Sequence, residues 1–186
     1  MTAALAVTRS RRSVRIVLAV TVAVGLAALA WAAFVKPSAR IVYNVTDSIP
    51  VGWYRIEKAS SLRASLRVGG IVLTRLPGEF AELAAQRGYL PLHIPLLKRV
   101  GALAPQHVCI VEGIVRIDGT PVAVVLHADR WGRALPVWQS CRALVEGEVF
   151  LLSSTNPASF DSRYVGPVPA SSVIGLVLPL AWPELP

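Results

Sequence analysis

The sequence predicts an all-β domain interrupted by one short helix and preceded by a single N-terminal transmembrane helix. Three observations lead there: an uncharged run of twenty residues at 16–35, short β-branched and aromatic runs from Ile41 onward, and one segment of helical period at 79–87. Glycine, proline and aspartate divide the β-type runs at turn spacing, the pattern of one β-rich domain.

The apolar run comes first. Its one conventional polar side chain is Thr21, and its length matches a helical crossing of about 30 Å of hydrocarbon. A cleaved signal sequence is the alternative, because small residues cluster at Ala30, Ala32 and Ala33. Signal sequences, however, usually have an apolar core of only about 7–15 residues. Arg9, Arg11, Arg12 and Arg15 precede the run, against Lys36 and Arg40 after it. The positive-inside rule therefore keeps 1–15 in the cytoplasm, threads 16–35 through the bilayer and exports 36–186. In a bacterium that puts the domain in the periplasm, tethered to the inner membrane.

Ile41, Val42 and Tyr43 start the first strand and residues 52–56 the second, with a turn between them. Residues 60–67 are polar enough for a loop, after which Gly69 and Gly70 lead into a buried strand at 71–74. Pro77 and Gly78 open the helix, which sets Phe80, Leu83 and Ala84 on one face and stops at Gly88. Strands follow at 96–100, 107–111 and 113–117, and Asp118-Gly119 closes a hairpin into 121–125. Residues 129–133 read as a turn and Cys141 as part of a loop. A strand at 149–152, a turn-rich loop at 153–157 and a last strand at 173–178 precede a proline-rich end.

Charge excludes one class of partner. Of nineteen basic residues six lie before position 41 and no acidic residue does, so 41–186 carries thirteen positive against eleven negative charges. A near-neutral exported domain without a basic run is no nucleic-acid surface, and no nucleic acid is expected. Cys109 and Cys141 are the only cysteines. An oxidising compartment and an even count favour one disulfide over two free thiols. No CxxC or HExxH spacing occurs, and His93, His107 and His127 are isolated, so neither metal nor cofactor is expected. Nothing in the composition fixes an oligomeric state.

Two places carry chemistry. Asp47, Ser48, Ile49, Pro50 and Gly52 form a turn-rich stretch; Pro50 fixes its own φ and extends Ile49, so Ser48 projects from a rigid bend. A serine hydroxyl attacks only when a neighbouring base takes its proton. Lys98 is the candidate base, because strand alternation sets it between Leu96 and Val100. To act near neutrality its pKa must fall to roughly 7–8, which takes about 3–4 kcal/mol of desolvation. The alternative is a lysine that snorkels to water from a half-buried strand. Val45, Ile49 and Val51 are either walls of a substrate pocket or core.

Three blocks in order now identify a resemblance: Asp47-Ser48-Ile49-Pro50-Val51-Gly52, then Leu97-Lys98-Arg99-Val100-Gly101, then residues 159–169 with Ser159, Asp161 and Arg163. The chain resembles the type I signal peptidases, whose Ser/Lys dyad sits on an all-β domain, a partly open β-barrel tethered outside the inner membrane. The serine is followed by Ile49-Pro50-Val51-Gly52-Trp53-Tyr54, and the loop before the third block is Ser153-Ser154-Thr155-Asn156-Pro157. With Tyr89-Leu90-Pro91 and the two cysteines, these features are similar to the TraF-type maturation peptidases of conjugative transfer systems.

The resemblance implies Ser48 as nucleophile, Lys98 as general base, and Thr46 with the Ser48 N–H as oxyanion donors. It also implies Ser159 as the group orienting the lysine, with Asp161 and Arg163 as a charged pair behind it. The implied substrate is an exported pro-pilin or other pre-protein, cut after small residues; in some members the pilin termini are then joined into a ring. The competing reading is a non-catalytic, membrane-tethered β-domain that serves as an assembly factor.

Overall fold

A computed structural model describes residues 11–34, 41–57 and 66–180. Arg9, Lys36, Arg40, most of the loop expected at 60–67 and the proline-rich end lie outside the described residues. The chain divides into two compact units, Met1–Ser38 and Ala39–Pro186.

In the first unit, helix α1 spans Arg11–Phe34. It is long and apolar enough to cross a membrane. The helix takes in Arg11, Arg12 and Arg15, which the sequence reading left in a cytoplasmic tail; arginine is a good helix former, so the helix continues beyond the apolar span. Thr21 satisfies its hydroxyl internally by donating to the Val17 carbonyl one turn back, at 2.5 Å.

The second unit is mostly β and built of two antiparallel sheets. The strands are β1 (Ile41–Asn44), β2 (Gly52–Glu57), β3 (Ile71–Thr74), β4 (Leu96–Leu103), β5 (His107–Val111), β6 (Ile114–Ile117), β7 (Thr120–Val124), β8 (Cys141–Ala143), β9 (Glu148–Leu152), β10 (Val168–Pro169) and β11 (Val173–Pro179). The larger sheet has the order β1-β2-β11-β3-β4-β9-β10 and forms an open half-barrel; the smaller is β7-β6-β5-β8. The expected helix is α2 (Gly78–Gln86), whose Ala84 is buried.

Three features depart from the sequence reading. Cys141 lies not in a loop but on β8, directly opposite Cys109 of β5, and the two form a disulfide. The third block contains a one-turn helix, α3 (Ser162–Val165), with Asp161 capping it by accepting from the Arg163 N–H. A short β10 pairs back on β9 right after it.

Gly166 makes that return possible: it has φ 75°, and a Cβ there would meet Trp138 Cδ1 at 2.6 Å. Only glycine combines that backbone with that contact.

The core divides into apolar clusters that hold the chemistry-bearing loops. Ile49, Tyr54, Leu73, Leu97 and Val177 form one, and Val72, Val100, Val149, Leu151 and Val173 are members of another. Central strand β4 therefore passes between two packed groups, with Lys98 opposite Val72 on β3. A lysine at that register has almost no route to water.

Candidate active site

The β1–β2 connection carries Ser48, and its shape is fixed from below. Ile49 is fully buried and anchors the turn in the core. Asn44, at the end of β1, is also buried; its Nδ2 donates to the carbonyls of Thr46 (2.6 Å), Ile49 (2.9 Å) and Pro50 (3.1 Å). Tyr54 adds a bond from its hydroxyl to the Pro50 carbonyl at 2.6 Å. Sequence reasoning missed Asn44. The signal was present in its type and place, an asparagine ending a strand where its side chain can mimic turn backbone. Asn44→Ala leaves the buried Ile49 carbonyl unpaired and is expected to lower stability by about 1–3 kcal/mol, read from denaturant melts.

The far side of Ser48 is held by the loop after β9. The Ser48 carbonyl accepts from Ser153 Oγ at 2.8 Å and from the Ser154 N–H at 3.0 Å. Asn156 Nδ2 donates to the Asp47 carboxylate at 2.6 Å, and the Thr155 hydroxyl donates to the Asp47 carbonyl. The Ser153–Pro157 loop that precedes the third block is thus stitched to the serine turn.

Lys98 reaches the turn from β4. Its Nζ lies 3.0 Å from Ser48 Oγ and is also hydrogen-bonded to Ser159 Oγ, while the two hydroxyl oxygens are 3.1 Å apart. Lys98 is 3 % exposed and Ser159 6 %. Burial is the chief reason that the Lys98 pKa falls, to about 8; the Arg163 cation adds to the fall, while Asp161 and Asp47 oppose it. Such an amine is neutral in roughly a tenth of molecules at pH 7 and can accept a proton from a hydroxyl it touches.

Behind Ser159 lies a buried ion pair. Asp161 takes Arg163 Nε at 2.8 Å on one oxygen and Nη2 at 2.9 Å on the other. The guanidinium also donates to the carbonyls of Ser159 (2.8 Å), Pro157 (2.6 Å) and Val124 (2.9 Å). Asp161 accepts the Ser153 N–H at 2.8 Å. The pair therefore touches neither Ser48 nor Lys98, but holds the backbone on both sides of the loop that carries Ser159.

Thr46 is placed differently. Its hydroxyl donates to Asn44 Oδ1 at 2.9 Å, so its one proton is engaged away from Ser48. Among the described residues the Ser48 N–H donates to no atom. The sites of Val45 and Ile49 also separate: Val45 is 76 % exposed and lines the cleft, whereas Ile49 is core. Val51 is exposed and does not line it. His107 lies close to Cys109 and Cys141, but both sulfurs are bonded to each other and are not thiolate ligands.

A cleft of about 620 Å³ opens over Ser48, Lys98 and Ser159, with walls that include Leu76, Leu96, Leu126 and Leu135. Its apolar walls and few convergent polar groups suit an extended peptide.

Comparison with known proteins gives the family of the chain. Residues 13–182 match the family model described as signal peptidase, peptidase S26. The conjugal transfer protein TraF of Agrobacterium fabrum is 39% identical over 146 residues, covering 74% of this chain and 80% of that one. A plasmid transfer protein TraF of Escherichia coli is 36% identical over 151 residues, covering 75% and 82%. A crystal structure of a signal peptidase I from Enterococcus faecalis V583 overlaps 61% of this chain and 97% of its own, with 21% identity and a TM-score of 0.39. By the extent of the family match and of these relatives, the chain belongs to the signal peptidase family, peptidase S26.

Proposed function

We propose that this peptidase works through a Ser48/Lys98 dyad and matures an exported pre-protein, a pro-pilin in the first place, for a conjugative transfer system. The observation that carries the dyad is the 3.0 Å approach of Ser48 Oγ to a lysine only 3 % exposed. Neutral Lys98 takes the Ser48 proton as Oγ bonds to the scissile carbonyl carbon. The resulting ammonium returns that proton to the departing amine as the C–N bond breaks. Water then releases the acyl group from Ser48; in a ring-forming enzyme the amino terminus of the pilin attacks in its place.

Ser159 fixes the direction of the Lys98 lone pair, and Asp161 with Arg163 fixes Ser159. The unengaged Ser48 N–H is one oxyanion donor. Thr46 serves as the second once its hydroxyl turns from Asn44, each donor contributing about 3–4 kcal/mol to the transition state. The conjugative setting rests on the names of the TraF relatives. The membrane setting rests on α1, with 1–15 cytoplasmic, 16–35 in the inner membrane and 36–186 periplasmic, where the disulfide is stable. A non-catalytic assembly role gives no reason to bury a lysine against a serine.

The test is mass spectrometry of a pro-pilin from the same transfer system, produced with and without this protein. Trimming that depends on the protein is expected, and a ring is one water lighter than the trimmed linear chain. An intact pro-pilin in both samples overturns the substrate assignment.

A further inference from the structure

Four charged side chains border the cleft: Asp47, Lys98, Asp129 and Arg130. Three are engaged within the protein. Lys98 is buried against Ser48 and Ser159, Asp47 accepts from Asn156 at 2.6 Å, and Asp129 accepts from the Tyr89 hydroxyl at 2.5 Å and Arg133 Nε at 2.6 Å. Arg130 differs. Among the described residues its guanidinium has no hydrogen-bond or carboxylate partner; it lies over the Trp131 ring, 3.9 Å from the centroid.

The loop that presents Arg130 is held firmly. Asp129 Oδ1 accepts the N–H groups of Trp131 and Arg133, both at 2.9 Å, and the Asp129 carbonyl accepts Gly132 N–H at 2.9 Å. Arg133 reaches on to the Arg87 carbonyl at 3.0 Å, and Arg87 to the Ala134 carbonyl at 2.8 Å. Trp131 stacks on Tyr89 at 6.3 Å and 12°, with the Arg133 guanidinium 4.5 Å from the same indole. Yet Trp131 stays 53 % exposed. Ordering a large aromatic so thoroughly while leaving it in solvent is unrewarding for folding alone. What it does is give the Arg130 guanidinium a fixed aromatic face to rest on at the cleft wall.

The chemistry of the occupant follows from charge. A fork of N–H donors matches a carboxylate, whereas the Arg130 cation repels a basic residue; the Arg133 charge is already balanced by Asp129. We infer that Arg130, held on Trp131 at the wall of the Ser48 cleft, is a specificity-determining subsite for an acidic side chain of the polypeptide substrate. This rests on the peptidase reading above.

The experiment uses the full chain in detergent micelles and alanine-rich peptides that carry one Glu, Gln or Lys at successive positions. At one position wild type is expected to favour Glu over Lys by about tenfold in kcat/KM, the worth of one charge-assisted hydrogen bond. Arg130→Glu inverts that order, and Arg130→Gln brings the ratio close to one. Equal Glu-to-Lys ratios in all three proteins at every position overturn the inference. If wild type cleaves none of the peptides, the peptidase reading is what fails. Fluorescence-anisotropy binding of the same peptides to Ser48→Ala, with and without Arg130→Glu, then decides the subsite separately: inverted preference supports it and unchanged preference overturns it.

Discussion

Ser48→Ala and Lys98→Met are each expected to lower kcat/KM by about 10⁴–10⁶-fold, because in the proposed dyad the hydroxyl and the amine act as one unit and either loss removes the proton transfer. The double variant is expected to be no worse than the single ones. A purified Lys98→Met protein that cleaves peptide at even a tenth of the wild-type rate sinks the assignment of the base. The two substitutions differ in stability, which separates chemistry from folding. Lys98 is held with its pKa down from 10.5 to about 8. At pH 7 its folded form bears roughly 3 kcal/mol of penalty against the charged state, so a neutral side chain of similar length should melt higher.

The sign with pH runs the same way for both observables. A lysine whose pKa is depressed on folding binds more protons when unfolded, so the native state gains stability as pH rises from about 8 towards 10.5. The excess melting temperature of Lys98→Met should therefore shrink over that window. In wild type, kcat/KM should rise with pH along a limb centred near 8, since only the free amine accepts the Ser48 proton. A flat profile from pH 6 to 9 contradicts a lysine base.

What could be read in advance divides by range of interaction. The β4 strand and α2 follow from local apolar period, and the setting of Lys98 between Leu96 and Val100 already hinted at burial. Its actual dryness comes from residues far away in sequence, with Val72 opposite on β3 and Ser48 and Ser159 on its amine, and no local pattern states that. Strand β8 reads Cys141-Arg142-Ala143, too short and too polar for a strand signal. It forms because β5 offers an edge and Cys109 a bond. Helix α3 is a single turn, below the length at which periodicity exists, and depends on the Asp161 cap. Thr46 shows the limit of spacing: two residues before a serine is a position, but Asn44 determines where its hydroxyl points.

Asp161→Ala is the substitution expected to harm the fold most. The carboxylate is the partner of an Arg163 side chain that is 2 % exposed, and it also accepts the N–H groups of Ser153 and Arg163. Its removal leaves a buried guanidinium without a counter-charge, a defect worth about 3–5 kcal/mol, and releases the cap of α3. Replacing both partners, Asp161→Leu with Arg163→Met, should be less destabilising than the two single losses added together, because no unpaired charge remains. Strictly additive losses in denaturant melts rule out this pair as a coupled unit. For any folded fraction of Asp161→Ala, the acid limb of activity should move to lower pH. The carboxylate raises the Lys98 pKa and Arg163 lowers it, so removing the former and freeing the latter act in the same direction. Lower kcat combined with that shift is the signature of a residue that works through Lys98 and Ser159; lower stability with an unmoved limb assigns Asp161 to the fold alone.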